Sequence, residues 1–83
     1  MKILYFAWLR ERVGRAEENV DPPSSVSTVG QLIDWLSAQS PGHTAAFANR
    51  KLVKSARDQV HVDHSATISG AREVAFFPPV TGG

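Results

Sequence analysis

The residues that point most directly to chemistry stand at the end of the sequence, where Pro78-Pro79 is followed by Val80-Thr81-Gly82-Gly83. Proline fixes an extended φ and cannot donate to a ladder, so Pro78 and Pro79 end the preceding strand and carry the chain away from the domain. Glycine has no Cβ, which lets Gly82 and Gly83 thread a narrow channel in a partner, led by Val80 and Thr81. The reactive group of such a tail is the α-carboxylate. With an ordinary pKa of about 3.3 to 3.7 it is ionised at neutral pH and is a poor electrophile. Adenylation by ATP turns one oxygen into part of a leaving group, and the unhindered glycyl carbon is then open to a sulfur or nitrogen nucleophile. A frayed terminus is the plain alternative for the Gly-Gly pair taken by itself.

Other side chains carry weaker chemistry. His61 and His64 share a His-x-x-His spacing, but on a strand that spacing sends the two rings to opposite faces, and no carboxylate or thiolate completes a set. They are expected to be exposed histidines, and no metal site is expected. Phe76 and Phe77 also point to opposite faces by strand parity. Phe77, next to the departing tail, is assigned to a partner, because aromatic anchors favour interface centres; the alternative puts both rings in the core. Arg10 and Glu11 suit either pairing with a partner's charges or plain solvated surface. Trp8 and Trp35 read as packing residues.

The composition limits what else the chain can do. Its 83 residues hold no cysteine, which excludes a disulfide, a thiolate metal site and a Cys nucleophile. Nine basic against eight acidic side chains give a net charge of +1 without a run of like charges, so no electrostatic footprint for nucleic acid appears. The apolar stretch Ile3 to Leu9 runs straight into Arg10-Glu11-Arg12 and is too short for a signal peptide or a membrane span. A cytoplasmic location is the expectation. About 63% of the chain's surface is buried at this size, enough for one modest core and one domain, residues 1–83 with a tail over 78–83.

The elements that must hold the tail follow from periodicity. Lys2 to Ala7 is rich in β-formers and apolar on both parities, as in a central strand covered on both faces. Trp8 to Val13 reads as one or two helical turns or a structured loop, ended by Gly14. Arg15 to Val20 can pair as an outer strand, and Asp21-Pro22-Pro23-Ser24-Ser25 is a loop. The clearest helix opens with a capping box, Thr28 with Gln31, and carries Val29, Leu32, Ile33 and Leu36 at i, i+3, i+4 and i+7. Ser40-Pro41-Gly42 reads as its stop, with one further turn over Thr44 to Asn49 anchored by Phe47. Lys51 to Val53 and Gln59 to Asp63 read as strands, Val60 and Val62 on one face, His61 and Asp63 on the other. Between them, Lys54-Ser55-Ala56-Arg57-Asp58 is more polar than a strand is expected to be. A loop over Ser65 to Arg72 turns at Gly70, and Glu73 to Phe77 is the last strand. It is expected beside the first and parallel to it, the helix supplying the crossover. The fold class is α+β, a β-grasp with a mixed sheet, one main helix on one face and an extended, flexible C-terminal tail.

Phe76-Phe77-Pro78-Pro79-Val80-Thr81-Gly82-Gly83, together with Phe6-Ala7-Trp8-Leu9-Arg10-Glu11-Arg12-Val13-Gly14, resembles the small subunits of molybdopterin synthases. The resemblance spans the chain, and the eight terminal residues are its most specific part. It implies a ubiquitin-like β-grasp sulfur carrier of molybdenum cofactor biosynthesis. In that family an E1-like adenylating enzyme uses ATP and magnesium to activate the terminal glycine, and a sulfurtransferase system makes it a thiocarboxylate. The tail then enters the large subunit of a heterotetramer of two small and two large subunits. There its sulfur goes to cyclic pyranopterin monophosphate, two transfers building the dithiolene. Carried over, Gly83 bears the sulfur, Gly82 gives clearance, no cofactor is stably bound, and the catalytic side chains lie on the large subunit. Gly70-Ala71-Arg72-Glu73 departs from the acidic pair that relatives often carry after this glycine. Two alternatives stand beside this reading: a carrier for thiamine or cysteine synthesis, and a ubiquitin-like modifier or interaction module.

Overall fold

In the computed structural model, which describes residues 1–79, the first strand β1 (Lys2–Tyr5) stops two residues short of the expected Ala7. Ala7 itself is the reason. Its φ of 55° lies in the half of conformational space that a Cβ disfavours, and no strand continues through it. The chain turns there into α1 (Trp8–Val13), which Gly14 closes at φ 93° with its N–H donated to the Arg10 carbonyl. The acidic run that follows forms β2 (Glu17–Asn19), antiparallel to β1 at the edge of the sheet.

The main helix α2 (Val29–Ser37) begins with the reciprocal cap that the sequence predicts: Gln31 N–H donates to Thr28 Oγ1 at 3.1 Å, and Thr28 N–H donates to Gln31 Oε1 at 3.2 Å. Its stripe of Val29, Leu32, Ile33 and Leu36 is wholly buried. At about 1.5 to 3 kcal/mol for each large apolar side chain, that stripe outweighs the cap as the force docking the helix.

The next helix differs from expectation. Ser40-Pro41-Gly42 opens α3 (Pro41–Ala46), which therefore starts three residues before Thr44. Ser40 Oγ accepts from the His43 N–H at 3.2 Å, and Pro41 takes the first turn, where its missing N–H has no partner to lose. Phe47 lies just past the helix and is the buried anchor that the sequence indicates. Gly42 faces α1 so closely that a Cβ there would sit 2.4 Å from the Arg12 carbonyl oxygen.

Lys51 to Val53 is not a strand but a 3-10 turn (Arg50–Leu52), and the polar stretch after it is the strand β3 (Lys54–Arg57). Backbone pairing explains the exchange. β3 is bonded on both sides, to β4 (Val60–Val62) and to β5 (Glu73–Phe77), so its ladders hold it without an apolar run. Its buried Ser55 hydroxyl donates to the Val62 carbonyl at 3.0 Å. Asp58 and Gln59, at φ 48° and 71°, form the two-residue turn to β4, whose twist suits antiparallel neighbours. Asp58 Oδ1 also accepts from the Arg72 and Glu73 N–H groups at 3.0 Å each, which ties this turn to the start of β5.

The five strands lie in the order β2-β1-β5-β3-β4, with β1 and β5 parallel from Lys2↔Glu73 to Tyr5↔Phe76. This is the β-grasp arrangement read from the sequence. One parity, Ile3, Tyr5, Val74 and Phe76, joins the buried apolar residues of all three helices in a single core. The other parity carries Leu4, Ala56, Ala75 and Phe77, none of which belongs to that core. The described helices thus cover one face of β1, not both. Among the described residues no helix is long and apolar enough to cross a membrane.

Candidate functional site

Because β1 and β5 run parallel and in register, both end at the same edge of the sheet, and the residues just past them meet there. Phe6 continues the pairing by one step, its N–H donated to the Phe76 carbonyl at 3.1 Å. It falls on the outer parity and is 48% exposed. Phe77 lies beside it on the same face, half-buried, with the His61 ring 5.1 Å away between centroids. Phe76 is wholly buried and packs edge-on to Phe47 at 5.1 Å. The structure therefore splits the two phenylalanines, Phe76 into the core and Phe77 onto the outer face. Phe6 is missed by a reading that takes Lys2 to Ala7 as a strand covered on both faces; its signal is parity, since it alternates with Tyr5 onto the face of Leu4.

Half-buried Pro78 and Pro79 follow Phe77 at this edge. Val80, Thr81, Gly82 and Gly83 lie outside the described residues. α1 starts at the same edge and carries Arg10 and Glu11, both exposed; among the described residues neither belongs to an ion pair. Arg12 instead stacks its guanidinium 4.5 Å above the Trp8 ring. Trp8 and Trp35 are partly buried against the core. His61 is exposed on the outer face, whereas His64, expected to be exposed, is half-buried with Nε2 2.9 Å from the Val53 carbonyl oxygen. Among the described residues no three His, Asp or Glu side chains gather as metal ligands.

A polar cluster that the spacing does not announce lies inside the fold. Glu18 Oε2 accepts from the Tyr5 hydroxyl at 2.7 Å and stands 2.7 Å from Nε2 of His43, whose Nδ1 is 2.7 Å from Ser40 Oγ. Burial and the Glu18 carboxylate push the Tyr5 hydroxyl far above its ordinary pKa. Burial also works to raise Glu18, but the hydrogen bonds from His43 and Tyr5 outweigh it and hold the carboxyl below its usual range. Tyr5 thus stays protonated and Glu18 ionised near neutrality, and their hydrogen bonds tie β1, β2 and α3 together. Glu18 and His43 are 25 residues apart, so local pattern gives no hint of the pair.

The described residues thus offer an aromatic surface at the edge where the chain continues past Pro79, and the hydroxyl, imidazole and carboxylate they bring together, Ser40, His43 and Glu18, belong to the cluster that joins β2 to α3. Residues 3–83 match the ThiS family. The chain is 39% identical over its whole length to the molybdopterin synthase sulfur carrier subunit of Escherichia coli, covering 99% of that protein. Among solved structures, SAMP1 (small archaeal modifier protein 1) of Haloferax volcanii superposes with a TM-score of 0.72 at 27% identity, covering 100% of this chain and 98% of that one. A putative molybdopterin converting factor subunit 1 of Pyrococcus furiosus superposes with a TM-score of 0.72 at 24% identity, covering 95% of each chain. That last likeness speaks for the fold alone.

Proposed function

The chain belongs to the ThiS family, and from that premise we propose that it is the sulfur carrier subunit of a molybdopterin synthase. The observation that carries this reading is the convergence at one sheet edge of Phe6, Phe77 and Pro78-Pro79, the point from which the sequence continues into its last four residues. The full-length likeness to the Escherichia coli subunit supports it.

In this reading an oxygen of the Gly83 carboxylate attacks the α-phosphorus of ATP on an E1-like enzyme that supplies magnesium, and pyrophosphate leaves. A persulfide fed by a sulfurtransferase then displaces AMP to give an acyl disulfide at Gly83, and a thiol cleaves it, leaving as a mixed disulfide with the donor and freeing the thiocarboxylate. Gly82, without a Cβ, gives clearance as Val80 and Thr81 thread into the large subunit. The thiocarboxylate is anionic and soft, hence a good sulfur nucleophile toward cyclic pyranopterin monophosphate. Acid, base and phosphate-binding groups are supplied by the large subunit. Phe77, with Phe6, docks the partner, and Arg10 and Glu11 flank that contact on α1. The assembly is a heterotetramer in the cytoplasm, with two copies of each subunit.

Two variants separate carrying from docking. Deletion of Gly83 abolishes pterin sulfuration while association with the large subunit persists. Phe77→Ala weakens association by tenfold or more, as expected of an aromatic anchor worth about 2 kcal/mol, while Gly83 is still thiocarboxylated. Turnover by the truncated chain refutes the carrier reading. The likeness to SAMP1 favours a second reading, a ubiquitin-like modifier; an isopeptide adduct at Gly83 on incubation with the activating enzyme distinguishes it.

A further inference from the structure

At the edge where Phe77 gives way to Pro78, a cleft of about 610 Å³ opens between the 3-10 turn, β3 and β4. Its floor is apolar, formed by buried Val53 and the Phe77 ring. Its rim is cationic, with Arg50, Lys51 and Lys54. Arg50 is engaged by Asp34, but among the described residues Lys51 and Lys54 have no carboxylate within ion-pair distance. The acid on the rim, Asp63, accepts through Oδ1 from the Ser65 N–H at 2.9 Å and from the Ser65 hydroxyl, and it forms no ion pair with Lys51 or Lys54 among the described residues. Lys54 is the register partner of Phe77, which puts a cation beside the aromatic ring on the outer face.

A compact anion needs donors that converge on it, and here they do not. The Ser55 hydroxyl is given to Val62 and the His64 Nε2 to Val53, so the inner polar atoms of the cleft are occupied. Two cations spread along an apolar floor match an extended segment that carries carboxylates on either side of an apolar side chain. We infer that the cleft receives an acidic segment of the large subunit, whose carboxylates meet Lys51 and Lys54 and whose apolar side chain lies against Phe77. The inference rests on the proposed function and adds to it a second docking element, continuous with Phe77 and separate from the tail.

Calorimetric titration of the purified large subunit with the full chain tests this at low and at physiological ionic strength. The double reversal Lys51→Glu, Lys54→Glu weakens binding roughly tenfold at low salt and flattens the salt dependence; the Lys51→Gln, Lys54→Gln pair falls between. Both lysines are exposed, and an unchanged thermal melt keeps folding out of the comparison. Unchanged affinity and salt dependence in the reversal variant overturn the inference alone. So does a loss confined to the E1-like enzyme, or chemical-shift changes at His61 and Phe77 on adding inorganic phosphate alone with large-subunit affinity intact. Absence of binding by the unaltered chain overturns the carrier reading and the inference together.

Discussion

Glu18 sits on an edge strand, yet it is the most constrained carboxylate of the described chain, held by Tyr5 and His43 at 2.7 Å each. Its folded pKa lies below the ordinary value, so its contribution to stability is fully present above about pH 4.3 and is lost as the pH falls through the folded value. Unfolding free energy measured by urea titration should therefore decline on acidification below about pH 4.3, and decline less in Glu18→Gln, which has no charge to lose. Glu18→Ala leaves the buried His43 and Tyr5 donors without an acceptor and should cost about 2 kcal/mol at neutral pH. A cost below about 0.5 kcal/mol with the same acid profile as the unaltered chain would contradict the account of the cluster. At this scale the sequence was legible for groups whose chemistry is local, the capping pair Thr28 and Gln31 or the parity of Phe76 and Phe77. It was silent on Glu18 and His43, which meet only because α3 folds back over β2.

Among the elements, those specified by side-chain periodicity could be read and those specified by backbone pairing could not. α2 carries a clean stripe and a cap, and both are where the sequence puts them. β3 has no apolar alternation, since two ladders hold it and Ser55 is buried with a hydrogen bond. Ser40-Pro41-Gly42 contains the signals of a helix stop and of a helix start, and the hydroxyl that accepts from His43 decides for the start. Gly42 is a consequence of the way α1 and α3 meet. A Cβ at that position would approach the Arg12 carbonyl oxygen to 2.4 Å, and backbone cannot swing aside as a side chain can. Gly42→Ala should destabilise the domain by about 1 to 3 kcal/mol, read from the shift of its urea midpoint. An unchanged midpoint would mean that the two helices are not packed this tightly. The exposed Thr44 is a suitable control, because Thr44→Ala removes hydrogen bonds but adds no bulk.

Taken whole, the molecule divides its labour by position. The inner face and three helices make a single core, and in the proposed function the outer face and the edge at Phe77 meet the partner. A chain with no cysteine carries sulfur in this account, because the sulfur rides on a terminal carboxyl group and needs no thiol side chain. The β-grasp layout was legible in the sequence from strand and helix order, while the chemistry proposed for the tail rests on Pro-Pro followed by Gly-Gly. The aromatic surface at the tail's root needed the fold, since Phe6 and Phe77 are 71 positions apart and only parallel pairing sets them side by side. The most direct measurement is intact-mass spectrometry of the full chain after incubation with the E1-like enzyme, ATP, magnesium and a sulfur donor. The account predicts the replacement of one oxygen by sulfur, localised to Gly83 by fragmentation and absent without ATP. A terminus that keeps both oxygens while the enzyme is demonstrably active on a known carrier would contradict it.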